Sequence, residues 1–138
     1  MARILIADDH EIVRHGIRMI LQGRPEWEIC GEANDGREAV QLAKELNPDV
    51  IILDVSMPVL GGLGAADDIL RMNPKSKILI FTMDESKTLR MLVQKCGARG
   101  FVVKSQASAL LVEALDRLLA GDTFFKPIEA TQPMLGPA

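Results

Sequence analysis

The sequence has few of the residues that several protein classes require. It contains two cysteines, Cys30 and Cys96, with no Cys-x-x-Cys pair and no Cys/His ligand spacing, so neither a disulfide framework nor a zinc site is indicated. No apolar run approaches the roughly 18 residues of a membrane span. The acids Asp8 and Asp9 interrupt the N-terminus, where a signal peptide needs a longer apolar stretch. The sequence therefore predicts a cytoplasmic protein that does not enter a membrane.

An excess of basic residues is also missing. Sixteen Lys and Arg stand against nineteen Asp and Glu, which gives a formal net charge of −3. This balance argues against a surface built to bind a polyanion, so we expect no direct nucleic-acid binding by this segment. With 138 residues, 48% of them hydrophobic, the chain fits one globular domain with a single core.

The sequence does contain a regular alternation of short apolar runs and helical patterns. The apolar runs predict strands at Arg3–Ala7, Trp27–Gly31, Val50–Leu53, Lys77–Phe81 and Gly100–Val103. The helical patterns span Glu11–Leu21, Gly36–Leu46, Leu63–Met72, Ser86–Cys96 and Ala107–Ala120. Such alternation is typical of an α/β domain in which right-handed crossover helices join parallel strands. It predicts a doubly wound, five-stranded parallel sheet.

Turn and capping residues mark the limits of these helices. The Asn34-Asp35-Gly36 run and Ser105 offer turn or capping groups before the second and fifth helices. Asn47 and Gly97 end the second and fourth helices, and Gly121 ends the fifth. These residues therefore predict the limits of the helices and the positions of the loops that join them to the strands.

Polar and charged side chains follow four of the predicted strands. Asp8 and Asp9 follow the first strand, Asp54 the third, Thr82 the fourth and Lys104 the fifth. Because the carboxyl ends of parallel strands meet at one edge of a sheet, we expect these side chains to converge. Three neighbouring carboxylates repel one another unless a cation neutralises them, and Mg²⁺ prefers carboxylate oxygens, water and phosphate. The sequence therefore predicts a magnesium site with an open position for a phosphoryl group.

Within this site, Asp54 is the candidate nucleophile, because a carboxylate can attack phosphorus when a metal and a cation offset its charge. Lys104 and Thr82 are candidates for binding the phosphoryl oxygens. Each residue also has a simpler interpretation: Asp8 or Asp9 as a helix cap, Lys104 as a solvated lysine and Thr82 as an ordinary strand-end residue. Their joint placement favours the site.

These residues closely resemble the receiver domain of bacterial two-component response regulators. The resemblance covers about residues 3–120, and its main motifs are Ile4–His10, Pro48–Pro58, Thr82 and Gly100–Ser105. It implies a flavodoxin-like (βα)₅ fold with strand order 2-1-3-4-5, and a phosphoryl group accepted on Asp54 from a sensor histidine kinase. It also implies a signalling domain and not an enzyme, with at most self-phosphorylation from small donors and autodephosphorylation.

The resemblance further implies a role for individual residues. Mg²⁺ would be bound by Asp9, Asp54 and the backbone carbonyl of Ser56, with Asp8 acting largely through water. Thr82 and Lys104 would engage the phosphoryl oxygens.

Phe101 matches the switch aromatic of this family. By resemblance, it turns inward when Thr82 shifts toward the phosphate. That movement remodels the face made by the fourth helix, the fifth strand and the fifth helix. A core aromatic is the simpler interpretation, and the place of Phe101 in the motif outweighs it.

Further matches resemble the subfamily whose receivers precede a LuxR-type helix-turn-helix DNA-binding domain. They are Asp8–His10, Val13–Gly16, Gly31–Ala33 and Leu119–Phe125. Residues 122–138 are too few for such a domain, so we expect a receiver at 1–121 and an irregular tail at 122–138, with the output domain absent. The expected function is control of a transcriptional output domain or another partner.

Two other functions stay open. A degenerate receiver that serves only as a binding module would lack an acid or the lysine, and this chain has all of them. A phosphohydrolase of the haloacid-dehalogenase type also uses an Asp nucleophile with Mg²⁺, but its second Asp lies two residues later. Here that position is Ser56, which disfavours the hydrolase.

The two histidines and Met83 require separate interpretations. His10 and His15 are five residues apart and do not share a helical face, so solvated or locally capping roles are expected. Met83 follows Thr82 where the family usually has a small residue, and its thioether is expected to narrow access to Asp54.

The first and fifth helices have more apolar residues than one sheet contact needs. Val13, Ile17, Ile20 and Leu21 form the arc of the first helix that should face the sheet. The adjoining arc holds Ile12, Gly16 and Met19, and the fifth helix contains Leu110, Leu111, Val112, Leu115, Leu118 and Leu119. This surplus predicts an exposed patch and a weak, phosphorylation-enhanced homodimer that uses the fifth helix. Wide burial under the C-terminal tail is the alternative.

Overall fold

The computed structural model describes residues 1–125, which form alternating strands and helices. The strands are β1 (Ala2–Ala7), β2 (Trp27–Ala33), β3 (Val50–Leu53), β4 (Ile78–Thr82) and β5 (Gly100–Val103). The helices are α1 (Glu11–Leu21), α2 (Gly36–Leu46), α3 (Gly62–Met72), α4 (Lys87–Cys96) and α5 (Ala107–Leu119), with a 3₁₀ turn at Lys104–Gln106. Within this described range, no helix has the length and apolar character that crossing a membrane requires.

The five strands form one parallel sheet in the order β2-β1-β3-β4-β5. The predicted doubly wound, flavodoxin-like fold is therefore confirmed. At the carboxyl edge, Ala7 of β1 pairs with Leu53 of β3, and Thr82 of β4 pairs with Val103 of β5. The residues that follow these positions lie beside the point where the strand order reverses, which is where α/β sheets bind ligands.

The sheet is covered by helices on both faces because β3 is wholly apolar and β4 is apolar up to its last residue, Thr82. One face packs against α2, α3 and α4, and the other packs against α1 and α5. In α1, Ile17 and Leu21 are buried while Val13 and Ile20 are partly buried against the same cluster. The arc of α1 predicted to face the sheet is confirmed.

Most helix limits follow the predicted caps. The Asp35 carboxylate accepts a first-turn backbone N–H at the start of α2, and the Ser86 hydroxyl does the same for α4, so α4 itself begins at Lys87. Of the two roles predicted for Ser105, the turn is confirmed, because Ser105 lies within the 3₁₀ turn. The capping role is not, because α5 has no side-chain cap hydrogen bond. Gly97 ends α4 with φ 99°, a conformation that glycine adopts without a Cβ clash.

The chain beyond α5 returns to the edge of the sheet. Phe124 forms a parallel bridge with Gly100, its backbone N–H donates to the Arg99 carbonyl at 2.8 Å, and its carbonyl accepts from Phe101 N–H at 2.9 Å. The Phe124 side chain is buried in the core cluster of α1 and α5. The division after Gly121 stays a prediction, and the rest of the expected tail, 126–138, lies outside the described residues.

Candidate functional site

The backbone of the sheet fixes two of the predicted carboxylates side by side. Asp8 N–H donates to the Ala33 carbonyl at 3.1 Å, and Asp54 N–H donates to the Ala7 carbonyl at 2.9 Å. Both hydrogen bonds continue the parallel ladder one residue beyond β1 and β3. Asp8 and Asp54 are consequently both buried, with relative exposures of 1% and 3%.

The start of α3 packs directly under Asp54. A Cβ atom at Gly62 would lie 2.0 Å from the Asp54 carbonyl oxygen, so only glycine fits there. Gly62 N–H also donates to the Val55 carbonyl at 2.9 Å. Gly62, the first residue of α3, therefore holds the backbone at Asp54 in place.

Lys104 connects the two buried carboxylates. Its Nζ lies 2.6 Å from Asp8 Oδ2 and 3.4 Å from Asp54 Oδ2, and the Lys104 side chain is only 9% exposed. The ammonium thus supplies one positive charge against two buried negative charges. A second cation would balance the site.

The pKa values follow from this imbalance. Burial raises the pKa of Asp54 above its ordinary value, and the neighbouring charge of Asp8 raises it further, while Lys104 acts in the opposite direction. Asp8 Oδ2 forms the ion pair with Lys104 but, within residues 1–125, accepts no hydrogen bond. A buried carboxylate oxygen of this kind fits a metal ligand.

Asp9 and His10 complete the acidic end of the site. Asp9 is exposed, and its Oδ1 lies 3.1 Å from His10 Nδ1. The same nitrogen lies 3.3 Å from Asp8 Oδ1, which also accepts His10 N–H at 2.9 Å. Ligand atoms from Asp8, Asp9, His10 and Asp54 all lie within 4.8 Å of one another. The donor set therefore fits a divalent cation.

Asp54 opens into a pocket of about 290 Å³ at the carboxyl edge of the sheet. Thr82 is buried in its wall, and its hydroxyl accepts Asp84 N–H at 3.2 Å. The pocket is lined by His10, Asp54, Ser56, Thr82, Met83, Asp84 and Lys104. Met83 lies on this lining with 75% of the residue exposed. The prediction that this thioether narrows access to Asp54 stays a prediction.

Phe101 lies away from the pocket. It is 3% exposed and belongs to the core cluster that packs against α2, α3 and α4. The ring is therefore in an inward position, the orientation that the family resemblance associates with a shift of Thr82.

Sequence reasoning missed two residues at this site. For His10 the sequence predicts only a solvated or locally capping role, although its position next to Asp9 is a usable signal, and His15 is exposed on α1. Arg14 was given no role. Its Nη1 donates to the Asp8 carbonyl at 2.6 Å and its Nε donates to Glu32 at 2.9 Å. No spacing rule indicates such a contact, because it depends on the packing of α1 beside β2.

Comparison with known proteins identifies the family. The family model of the response regulator receiver domain matches residues 4–116. The chain belongs to this family. It is 36% identical over 132 residues to the response regulator GacA of Pseudomonas viridiflava, which covers 96% of the chain and 62% of that protein.

Two solved structures extend the match. A LuxR-family two-component response regulator from Aurantimonas sp. SI85-9A1 superimposes with a TM-score of 0.88 at 38% identity, covering 92% of this chain and 91% of that one. A structure of two RcsB dimers bound to two parallel DNAs gives a TM-score of 0.83 at 31% identity, covering 91% and 64%. The receiver is thus of the LuxR type.

The chain spans between 53% and 62% of the length of the first curated relatives it matches. The receiver domain is the part that they share with it. What those whole proteins regulate is a property of those proteins and is not assigned to this chain.

Proposed function

We propose that this receiver accepts a phosphoryl group on Asp54. The observation that supports it is the buried Asp54 carboxylate, which lies beside Asp8 and Lys104 and opens into the pocket lined by Thr82. An Asp54 carboxylate oxygen forms the new bond to phosphorus while the P–N bond of a kinase phosphohistidine breaks. The electron pair of that bond returns to the imidazole nitrogen of the kinase. The product is an acyl phosphate on Asp54.

Two side chains of the pocket bind the transferred group in this proposal. Lys104 exchanges its contact with Asp54 for one with a phosphoryl oxygen, where a charge-assisted hydrogen bond is strong. Thr82 donates its hydroxyl proton to another phosphoryl oxygen. In the present structure the Thr82 oxygen accepts a hydrogen bond from Asp84 N–H. The hydroxyl can therefore rotate to donate to the phosphoryl oxygen while its oxygen keeps this contact.

The metal proposed for the site is Mg²⁺, held by Asp8, Asp9, Asp54 and the backbone carbonyl of Ser56. When bound, Mg²⁺ offsets the negative charge of the carboxylates and of the incoming phosphoryl group. The imbalance between one ammonium and two buried carboxylates supports this assignment. Asp9→Asn is expected to weaken Mg²⁺ binding, as measured by calorimetric titration.

The test of the phosphoacceptor is acid-labile labelling from acetyl phosphate in the presence of Mg²⁺. Asp54→Asn should abolish labelling, because the amide is a poor nucleophile. Asp67→Asn, which changes an exposed acid on α3, is the matched control and should label like the wild type. Unchanged labelling of the Asp54 variant would disprove the assignment.

The same preparation separates the alternatives. A binding module without phosphoacceptor activity would bind no beryllofluoride at Asp54. A phosphohydrolase would turn over a phosphoester continuously instead of stopping at one phosphate per chain. We propose stoichiometric modification, with no turnover beyond slow autodephosphorylation.

The proposed partners are a sensor histidine kinase as phosphodonor and a second copy of the chain. RcsB, a similar protein, forms dimers on DNA, and this supports a phosphorylation-enhanced homodimer here. Phosphorylation would act through Thr82 and Phe101 on the face formed by α4, β5 and α5, which controls a transcriptional output domain or another partner. The receiver unit itself is proposed to end near Gly121.

A further inference from the structure

We propose that the segment Thr123–Phe125 is a clip on the outer edge of β5 and that it couples phosphorylation of Asp54 to the chain beyond α5. The clip binds the backbone of Phe101 and packs against the same core cluster as the Phe101 ring. The inference rests on the proposed function, in which phosphorylation acts through Thr82 and Phe101. It goes beyond that function because it assigns a role to residues that follow α5 and lie outside the pocket.

The end of α5 directs the chain back to the sheet. Gly121 has φ 93°, and its N–H donates to the Leu118 carbonyl at 3.0 Å. The Asp122 N–H donates to the Arg117 carbonyl at 2.9 Å. These two bonds form a Schellman motif, which ends a helix at a residue in the left-handed conformation. The chain therefore reverses at Gly121 and reaches the edge of β5 at Phe124.

Backbone hydrogen bonds hold the clip on β5. Phe124 N–H donates to the Arg99 carbonyl at 2.8 Å, and the Phe124 carbonyl accepts Phe101 N–H at 2.9 Å. Asp122 and Thr123, which lead into this contact, are exposed. Because the paired stretch is short and lies at the edge of the sheet, it can open while the rest of the sheet stays folded.

The two phenylalanines of the clip lie on opposite faces of the sheet. Phe124 is 3% exposed and belongs to the core cluster of α1 and α5. Phe125 is half-buried and packs against the core cluster of α2, α3 and α4, to which Phe101 also belongs. Successive side chains of an extended segment point to opposite faces, so the clip holds the edge of the sheet from both sides.

Phe101 connects the clip to the phosphorylation site. Its backbone N–H binds Phe124, and its ring lies in the cluster against which Phe125 packs. An inward ring therefore supports Phe125, whereas an outward ring would remove part of that support and shift the backbone that binds Phe124. In the proposed function, phosphorylation favours the inward ring, so it should hold the clip closed. The position of the chain beyond Phe125 then depends on the state of Asp54.

Amide hydrogen exchange measured by NMR tests the clip at the two amides that it protects, those of Phe101 and Phe124. Beryllofluoride with Mg²⁺ replaces the phosphoryl group. The reference amide is Trp27 N–H, which donates to the Arg24 carbonyl at 2.9 Å beside the opposite edge of the sheet. We expect beryllofluoride to slow exchange at Phe101 and Phe124 at least about fivefold more than at Trp27. Equal slowing at all three amides would overturn the coupling.

Phe125→Ala should open the clip, because it removes the side chain that packs against the cluster of Phe101. Exchange at Phe101 and Phe124 should accelerate at least about tenfold relative to Trp27. Since coupling is reciprocal, beryllofluoride affinity should fall at least about fivefold. Leu42→Ala truncates a half-buried leucine of α2 that packs against the same cluster, and as the matched control it should change neither quantity. Unchanged exchange in Phe125→Ala would refute the clip.

Gly121→Ala perturbs the clip without changing its phenylalanines. A Cβ at Gly121 meets no heavy atom of the described residues within 4 Å, so this variant acts through the left-handed φ alone and should accelerate the same two amides. If beryllofluoride does not bind the wild type, the proposed function and the coupling both fail, while the two variants still decide whether the clip exists. If beryllofluoride binds but exchange at Phe101 and Phe124 follows that at Trp27, the proposed function stands and the coupling is refuted.

Discussion

At the residue scale, the pocket concentrates negative charge where burial makes it costly. The pKa of Asp54 is raised by burial and by the charge of Asp8, which means that the folded chain binds a proton at Asp54 more tightly than the unfolded chain does. Proton binding to Asp54 therefore stabilises the folded chain fully at pH values below the pKa of this group in the unfolded chain. This stabilisation is lost as the pH rises through the raised pKa of the folded chain. The buried negative charge of Asp54 therefore lowers the stability of the folded chain at neutral pH.

The corresponding prediction is that Asp54→Asn stabilises the protein at neutral pH when Mg²⁺ is absent. Urea denaturation of the two proteins at a series of pH values measures the difference in the free energy of unfolding. The increase in the free energy of unfolding should be largest at pH values above the raised pKa of Asp54. It should shrink as the pH falls toward the pKa that Asp54 has in the unfolded chain. A gain that is the same at every pH would rule out the charge of Asp54 as its cause.

Met83 is the residue whose effect on access can be tested directly. Its thioether is exposed on the lining of the pocket that contains Asp54. Met83→Ala should lower the barrier to labelling by acetyl phosphate, or to hydrolysis of the acyl phosphate, by about 0.5 kcal/mol, which is roughly twofold in rate. Rates that are unchanged in both reactions would mean that Met83 does not obstruct the pocket. Met91→Ala, an exposed methionine on α4, is the control.

At the element scale, Arg14 connects α1 to the site by donating a hydrogen bond to the Asp8 carbonyl. The residue that caps α1, His10, forms no side-chain cap hydrogen bond. The side chain of Arg14 is 11% exposed and is paired with Glu11 and Glu32. Arg18 has the same two acidic partners. Of these two arginines, Arg14 is the one that donates to the Asp8 carbonyl. The two arginines therefore separate a general contribution of the ion-pair network from a specific contribution to the position of Asp8.

Arg14→Met is expected to lower Mg²⁺ affinity by about tenfold, because it removes a group that orients a ligand, and to destabilise the fold by roughly 1.5–3 kcal/mol. Arg18→Met should leave Mg²⁺ affinity unchanged. Calorimetric titration and urea denaturation of both variants provide the two measurements. If both variants lose affinity equally, Arg14 has only the structural role that Arg18 shares.

The elements themselves were predictable because their signals are local. Apolar runs and punctuating residues placed every strand and helix, and the errors lie at the ends: β2 continues to Ala33, and α5 ends at Leu119. Ser105 lies in a turn and does not cap α5, because a 3₁₀ turn precedes that helix. Lys104, the first residue of this turn, pairs with Asp8 and Asp54 beyond β1 and β3, a tertiary contact that no local pattern describes.

The convergence of the acidic residues was predictable for a different reason. Parallel strands bring their carboxyl ends together whatever the loops contain, so the approach of Asp8, Asp54 and Lys104 follows from the strand order. The roles of His10 and Arg14 depend on side-chain directions after that convergence. Sequence periodicity contains no information about these directions.

At the scale of the whole molecule, the predicted exposed apolar patch is present on α1 but not on α5. The leucines of α5 are buried or half-buried, in part against Phe124, so wide burial describes this helix. On α1, Ile12 and Met19 are exposed as predicted, and Met83 beside the pocket is also exposed. Other exposed apolar residues include Met91 and Leu92 on α4. Between α1 and the start of α5 runs a shallow groove of about 220 Å³, lined by Val13, Gly16, Ile17, Ile20, Phe81, Met83, Lys104 and Ala107.

This placement changes where the predicted homodimer should form. If a second copy associates through α1, together with the neighbouring start of α5, then Ile12→Lys should weaken association at least about tenfold, because it places a charge in an apolar contact. Met91→Lys changes another exposed apolar residue, on α4, and should leave association intact. Sedimentation equilibrium with beryllofluoride and Mg²⁺ measures both variants. Loss of association only in the Met91 variant would move the interface to α4, and a wild type that stays monomeric at high micromolar concentration would refute the dimer.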